Sequence, residues 1–211
     1  MTELNKAVAV AVSAEPRVPA FIIEFVEKVV KHSVIINASG MLMASLTSSN
    51  PAKGLMYVIL LGLAIFVRIG FLILTSYAGP DNTSEMCQGD LPGALKFYDG
   101  GRNNIFVLSF SLFYIALPML LAKDAKWHLI FMLVVQLALT CFIVHGKNCI
   151  KNYVIYLLEI FGGGLYGSTV SVIMYYAGLR SWLMLSDVAE DEEAQKEKNE
   201  IKSLRCKIRP F

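Results

Sequence analysis

Charge is what this chain has least of. Asp, Glu, Lys and Arg make up 17% of its 211 residues, where an ordinary soluble domain carries about 25%. The net charge is +2, too little for a nucleic-acid binder working by bulk electrostatics. Hydrophilic sequence is equally short. The longest polar stretches are the first 19 residues, Gly79–Asn104 and Ser186–Phe211, and a chain shorter than about 40 residues rarely builds a core of its own. No separate soluble domain is expected.

Chemistry-bearing patterns are missing too. His32, His128 and His145 stand apart from one another and from any cysteine at metal-ligand spacing. There is no nucleophile elbow, phosphate loop, zinc-protease signature or paired-carboxylate motif. The reading is therefore not an enzyme, with no cofactor, metal, small-molecule substrate or nucleic-acid partner. Ala7–Val12 is too short for the apolar core of a leader and Glu3 spoils its basic start, so cleavage is not expected. Thr2 and the position of Cys206 exclude myristoylation and prenylation signals.

What the chain has is apolar length: 55% of it is hydrophobic and its mean hydropathy is +0.55. Four runs stand out, Leu55–Ala78, Ile105–Ala122, Trp127–His145 and Tyr153–Leu179. A helix needs roughly 20 apolar residues to cross about 30 Å of hydrocarbon, and each run meets or approaches that. The fold class expected is an all-α membrane protein, a bundle of four transmembrane helices.

Ahead of them, Phe21, Ile22, Phe25 and Val29 recur at helical spacing among Glu24, Glu27, Lys28 and Lys31, the pattern of an amphipathic helix. It runs into Ser33–Leu46, apolar but short and carrying Asn37, Ser39 and Gly40. This stretch either lies in the interface or inserts as a fifth span. Ser48-Ser49-Asn50-Pro51 then breaks the chain. The organisation read is an N-terminal arm (1–19), an amphipathic and short apolar helix (20–47), a four-span bundle (55–185) and a charged tail (186–211). With four spans, one side holds only Lys96, Arg102, Lys147 and Lys151, and the other basic residues outside the spans collect opposite. Five spans divide them almost evenly. The charge rule thus favours four spans with both termini cytoplasmic, and five stay open.

Arg68 is the costliest residue, because a charge inside a span costs a few kcal/mol on the translocon scale unless it finds a partner. The acidic residue inside another span is Glu159. At 1.5 Å per residue Arg68 lies about 15 Å and Glu159 about 9 Å from the same membrane face, a difference an arginine side chain covers. An intramembrane Arg68–Glu159 pair is expected, as interhelical glue rather than an ion path. Gly163, Gly167 and Ser171 repeat every four residues in the last run, a small-residue stripe for close helix packing. In the second run Pro118 follows Ser109 and Ser111, which can satisfy backbone or side-chain partners. Cys87 and Cys149 fall in loops on the same side, so a disulfide between them is geometrically open in an oxidising compartment. Asn82-Thr83-Ser84 is a glycosylation sequon in the same loop as Cys87.

The tail has an acidic half, Asp187–Glu200, with Glu192 and Lys196 at i,i+4 spacing, followed by the basic Lys202, Arg205, Lys207 and Arg209. The basic end can contact a protein layer or anionic headgroups beneath the membrane.

Two stretches, Lys31-His32-Ser33-Val34-Ile35-Ile36-Asn37-Ala38-Ser39-Gly40 and Arg102-Asn103-Asn104 through Pro118-Met119, resemble small multispan internal-membrane and minor capsid proteins of large DNA viruses, of the Chlorella-virus and mimivirus type. The resemblance is one of general pattern and carries over no functional residue. It implies a virion protein in the lipid layer beneath an icosahedral shell, with its termini touching shell proteins. It also implies assembly on membranes where the sequon and cysteines need not meet glycosylating or oxidising enzymes. The role expected is thus a structural, multi-pass membrane protein that self-associates or links the bilayer to a peripheral shell or coat protein. The alternatives are a small ion channel or transporter subunit, and a host protein of endomembrane trafficking.

Overall fold

The computed structural model describes residues 20–47, 50–74, 87, 101–123, 125–150 and 153–183. The N-terminal arm, the sequon and the basic tail lie outside them. The described residues form six α-helices: α1 (Ala20–Lys31), α2 (Ser33–Thr47), α3 (Pro51–Leu74), α4 (Gly101–Leu121), α5 (Trp127–Gly146) and α6 (Tyr153–Tyr176), with a 3-10 turn at Arg180–Trp182. Helix satisfies every interior backbone group within one segment, which hydrocarbon demands. The last four are long and apolar enough to cross a membrane, an architecture compatible with an integral membrane protein.

Helix boundaries extend beyond the apolar runs where local chemistry allows. Pro51 starts α3, where its missing N–H costs nothing and its fixed φ suits the first turn. Helix α4 begins at Gly101, not Ile105, so the polar Arg102, Asn103 and Asn104 form its first turn. Positive φ at Lys123 and Asn148 marks the turns after α4 and α5.

Helices α4 and α6 form the tightest pair. A Cβ added to Gly163 would collide with the carbonyl oxygen of Phe106, and one on Gly167 would lie 2.5 Å from that of Phe110. Only glycine lets the backbones approach this closely, and close packing replaces the hydrophobic drive that lipid does not supply between helices. Ser171 continues the stripe, buried, its hydroxyl donating to the Ser168 carbonyl at 3.0 Å. Around this contact Tyr57, Phe110 and Tyr114 are fully buried, with ring centroids 5.5–6.1 Å apart. Large apolar side chains such as Phe66, Phe131, Phe142 and Leu158 face outward, a surface fit for lipid.

The N-terminal helices pack on the bundle that they precede. The chain turns by 69° between α1 and α2. At one end of α2, the Asn104 side chain donates to the carbonyls of Val30 and Lys31 at 2.8 and 3.2 Å, and Lys147 pairs with Glu27 at 2.7 Å. At the other end, Ser45 lies against Gly54 near the start of α3, and Asn50 donates to the Ser181 carbonyl at 3.4 Å. Val34, Ala38 and Met41 pack on the central core between. Helix α2 therefore runs from one end of the bundle to the other, while α1 turns aside. On α1, Lys28 bonds Glu24 at 2.9 Å and holds its carboxyl below the ordinary value. Both groups are exposed, so solvent screens the pair heavily.

Candidate functional site: an intramembrane ion cluster

Helix direction brings the end of α3 and the starts of α4 and α6 to one end of the bundle. That end also holds a disulfide between Cys87 and Cys149, whose Cα atoms are 5.1 Å apart. Val30, Ile105, Val144, Ile150 and Tyr156 pack around it, so this disulfide end ties together α1, α4, α5 and α6 and the loop bearing Cys87. Cys141 is a free thiol in α5.

Below this end Arg68 and Glu159 meet. Arg68 donates through Nε to Glu159 Oε2 and through Nη2 to Oε1, both at 2.8 Å. Two parallel bonds match the planar fork of guanidinium to carboxylate, the strongest geometry for such a pair. The two side chains are only 5% and 6% exposed. Arg68 also lies 3.5 Å from Asn103 Oδ1, and its guanidinium carbon sits 5.7 Å from the centre of the Phe106 ring.

A second arginine joins them. Arg102 reaches Glu159 Oε1 through Nε at 3.1 Å and Nη2 at 2.9 Å. The sequence placed Arg102 in the loop before the second span. The signal that it belongs to the helix is the polar run Arg102-Asn103-Asn104 directly abutting apolar Ile105, which one more turn of helix absorbs. Glu159 thus joins α3, α4 and α6 at one point.

Other polar groups tie helices together elsewhere. The hydroxyls of Tyr57 and Ser111 lie 2.7 Å apart across α3 and α4, and Ser111 also donates to the Val107 carbonyl at 2.7 Å. Ser109 donates to the Ile160 carbonyl on α6 at 2.6 Å. Each buried hydroxyl so placed avoids the cost of an unmade bond in hydrocarbon.

The structure therefore brings together Arg68 with Glu159, Cys87 with Cys149, and Gly163 and Gly167 with the α4 backbone. Lys202, Arg205, Lys207 and Arg209 lie outside the described residues. Among the described residues no group of three or more His, Cys, Asp or Glu could hold a metal ion. Comparison with protein families, with characterised proteins and with solved structures finds no match to this chain.

Proposed function

We propose that this chain is a non-enzymatic structural membrane protein, a component of a virion internal membrane or minor capsid layer that links the bilayer to a peripheral protein shell. The observation that supports a structural role is the use made of the intramembrane charges. Arg68, Arg102 and Glu159 bind one another and join three helices, as glue does, whereas a conduit needs polar groups presented to a lumen. The shell connection rests on the viral resemblance of two stretches and on the basic end of the tail. The main competing role is a small channel or transporter subunit that uses the same ion cluster.

The test is crosslinking mass spectrometry on the protein in its native membrane or particle, aimed at the terminal lysines. Reproducible links from Lys6 or the Lys196–Lys207 tail to an abundant shell or coat protein are expected. Tails linked only to one another in a defined oligomer would move the weight to the channel, and conductance in liposomes with and without Arg68 would then decide.

A further inference from the structure

Helix α2 packs on α3 and α4, and α5 packs on α4 and α1, which leaves a gap between α2 and α5. A groove of about 510 Å³ occupies that gap, within the range of about 300–1,000 Å³ typical of small-molecule sites. Ile36, Leu139 and Met132 line it and are 43%, 45% and 66% exposed, so its mouth faces the bilayer. Its floor includes Tyr57 and Ser111, both fully buried. Among the described residues no charged side chain lines it.

Polar groups gather at one level of this groove. Asn104 bonds the Lys31 carbonyl, and α2 and α4 both run from there toward the opposite end of the bundle. Asn37 comes six residues after Lys31 and Ser111 seven after Asn104, about 9 and 10 Å at 1.5 Å per residue, so the two are level. Gln136, midway along α5, lines the opposing wall. On the disulfide side of this belt the lining is Val29, Ile36 and Leu139. On the other side Met41, Ala44, Ile115, Leu133, Met132 and Leu129 continue it, for about 10 Å along α5.

The belt has hydrogen-bonding capacity that the protein leaves open. Ser111 has one proton and donates it to the Val107 carbonyl, so Tyr57 is the donor in the 2.7 Å bond between their hydroxyls. The Tyr57 oxygen can then accept a further bond. The Asn37 amide nitrogen is buried and has no hydrogen-bond partner among the described residues, a costly state in hydrocarbon. A hydroxyl both accepts and donates, so one such group answers Asn37 and Tyr57 together. An acyl chain leaves both unmatched. So does a second copy docked through the lipid-facing side of α3 or α5, where Leu63, Phe66, Phe131 and Phe142 are exposed and apolar. An ionised group would find no countercharge in this lining.

We propose that this groove binds a neutral, lipid-soluble alcohol. Its hydroxyl accepts from Asn37 and donates to Tyr57, and its hydrocarbon extends past Gly40 and Ala44 toward Leu129. The small residues leave the room for it: a Cβ added to Gly40 would meet nothing within 4 Å. The proposal goes beyond the structural role above and does not depend on the identity of any shell.

The test uses the full chain in phosphatidylcholine vesicles with octan-1-ol carrying a diazirine near the far end of its chain, or octane carrying the same diazirine. Labelled residues are mapped by mass spectrometry. Octanol label on Met41, Leu129 and Met132 should exceed that on lipid-facing Leu63 and Phe66 of α3 by roughly tenfold, the ratio that about 1.4 kcal/mol of preference produces. Octane should show no such excess. Asn37→Leu, which keeps the size and removes the donor, should abolish the octanol excess. Gly40→Leu, which fills the groove from a position with open space, should abolish it too and leave the α3 label unchanged. Displacement of the label by unlabelled dodecan-1-ol would assign a chain alcohol, and displacement by cholesterol a sterol; displacement by neither would overturn the site. Equal label on α3 and the groove would overturn it as well, as would crosslinks from groove residues to a second copy. Equal groove label by octanol and octane, or an excess that survives Asn37→Leu, would overturn the hydroxyl assignment.

Discussion

The Asn104 side chain donates to the Val30 carbonyl at 2.8 Å, and that bond places the end of α1 beside the first turn of α4. Because α2 then runs the length of the bundle to reach α3, α1 and the 3-10 turn at Arg180–Trp182 belong to opposite ends. At 15 residues α2 is about 22 Å long, short for a span. Ser39 satisfies its own hydroxyl on the Ile35 carbonyl at 2.7 Å, α2 packs against α3 and α4, and local thinning of the bilayer can absorb the shortfall in length.

Four helices have spanning length, and the bent pair α1–α2 would make a fifth crossing; the two counts differ in the side on which α1 lies. In a background with Cys141 and Cys206 replaced by Ser, Glu24→Cys and Lys147→Cys should react with a membrane-impermeant thiol reagent from one side of oriented vesicles. Lys123→Cys should react from the other. Labelling of Glu24→Cys together with Lys123→Cys would restore four spans.

The ion cluster predicts an order of damage. Glu159→Gln removes the acceptor shared by two buried guanidiniums and should cost about 3–5 kcal/mol, the range for breaking a buried pair. Arg68→Gln should cost less because Arg102 still binds Glu159, and Arg102→Gln least because the bidentate Arg68 pair survives. Reversible unfolding in mixed micelles reads this order, and a larger loss for Arg102→Gln than for Glu159→Gln would refute it.

Gly163→Ala and Gly167→Ala should each lose about 1–3 kcal/mol, because the new methyl meets backbone that cannot step aside. Gly162→Ala is the control, since its Cβ would lie an ordinary 3.6 Å from the Phe106 ring. Thermal unfolding in detergent separates the three, and a Gly163→Ala protein as stable as Gly162→Ala contradicts the close approach.

Reduction of Cys87–Cys149 should lower stability by about 2–4 kcal/mol, the usual contribution of a disulfide. Wild type should show a melting temperature sensitive to reductant, and Cys87→Ser with Cys149→Ser should not. Identical melting with and without reductant in the wild type would mean that the bond contributes nothing to the fold.

The class of this protein was legible residue by residue. Hydropathy sums over contiguous sequence, so Leu55–Ala78, Ile105–Ala122, Trp127–His145 and Tyr153–Leu179 announce spans without reference to one another. The four-residue spacing of Gly163 and Gly167 likewise marks a helix face before its partner is known. Charge inside a span demands a partner, and Glu159 is the one carboxylate the other spans contain. The remainder required three dimensions. Ser33–Thr47 is too short and too polar to announce itself, and its place along the bundle is decided by packing against α3 and α4. Arg102 joins Glu159 only because α4 starts a turn earlier than its apolar run and faces α6 there. Length and hydropathy are local sums; rotation, depth and contact are set only when helices pack, and they decided which charges meet.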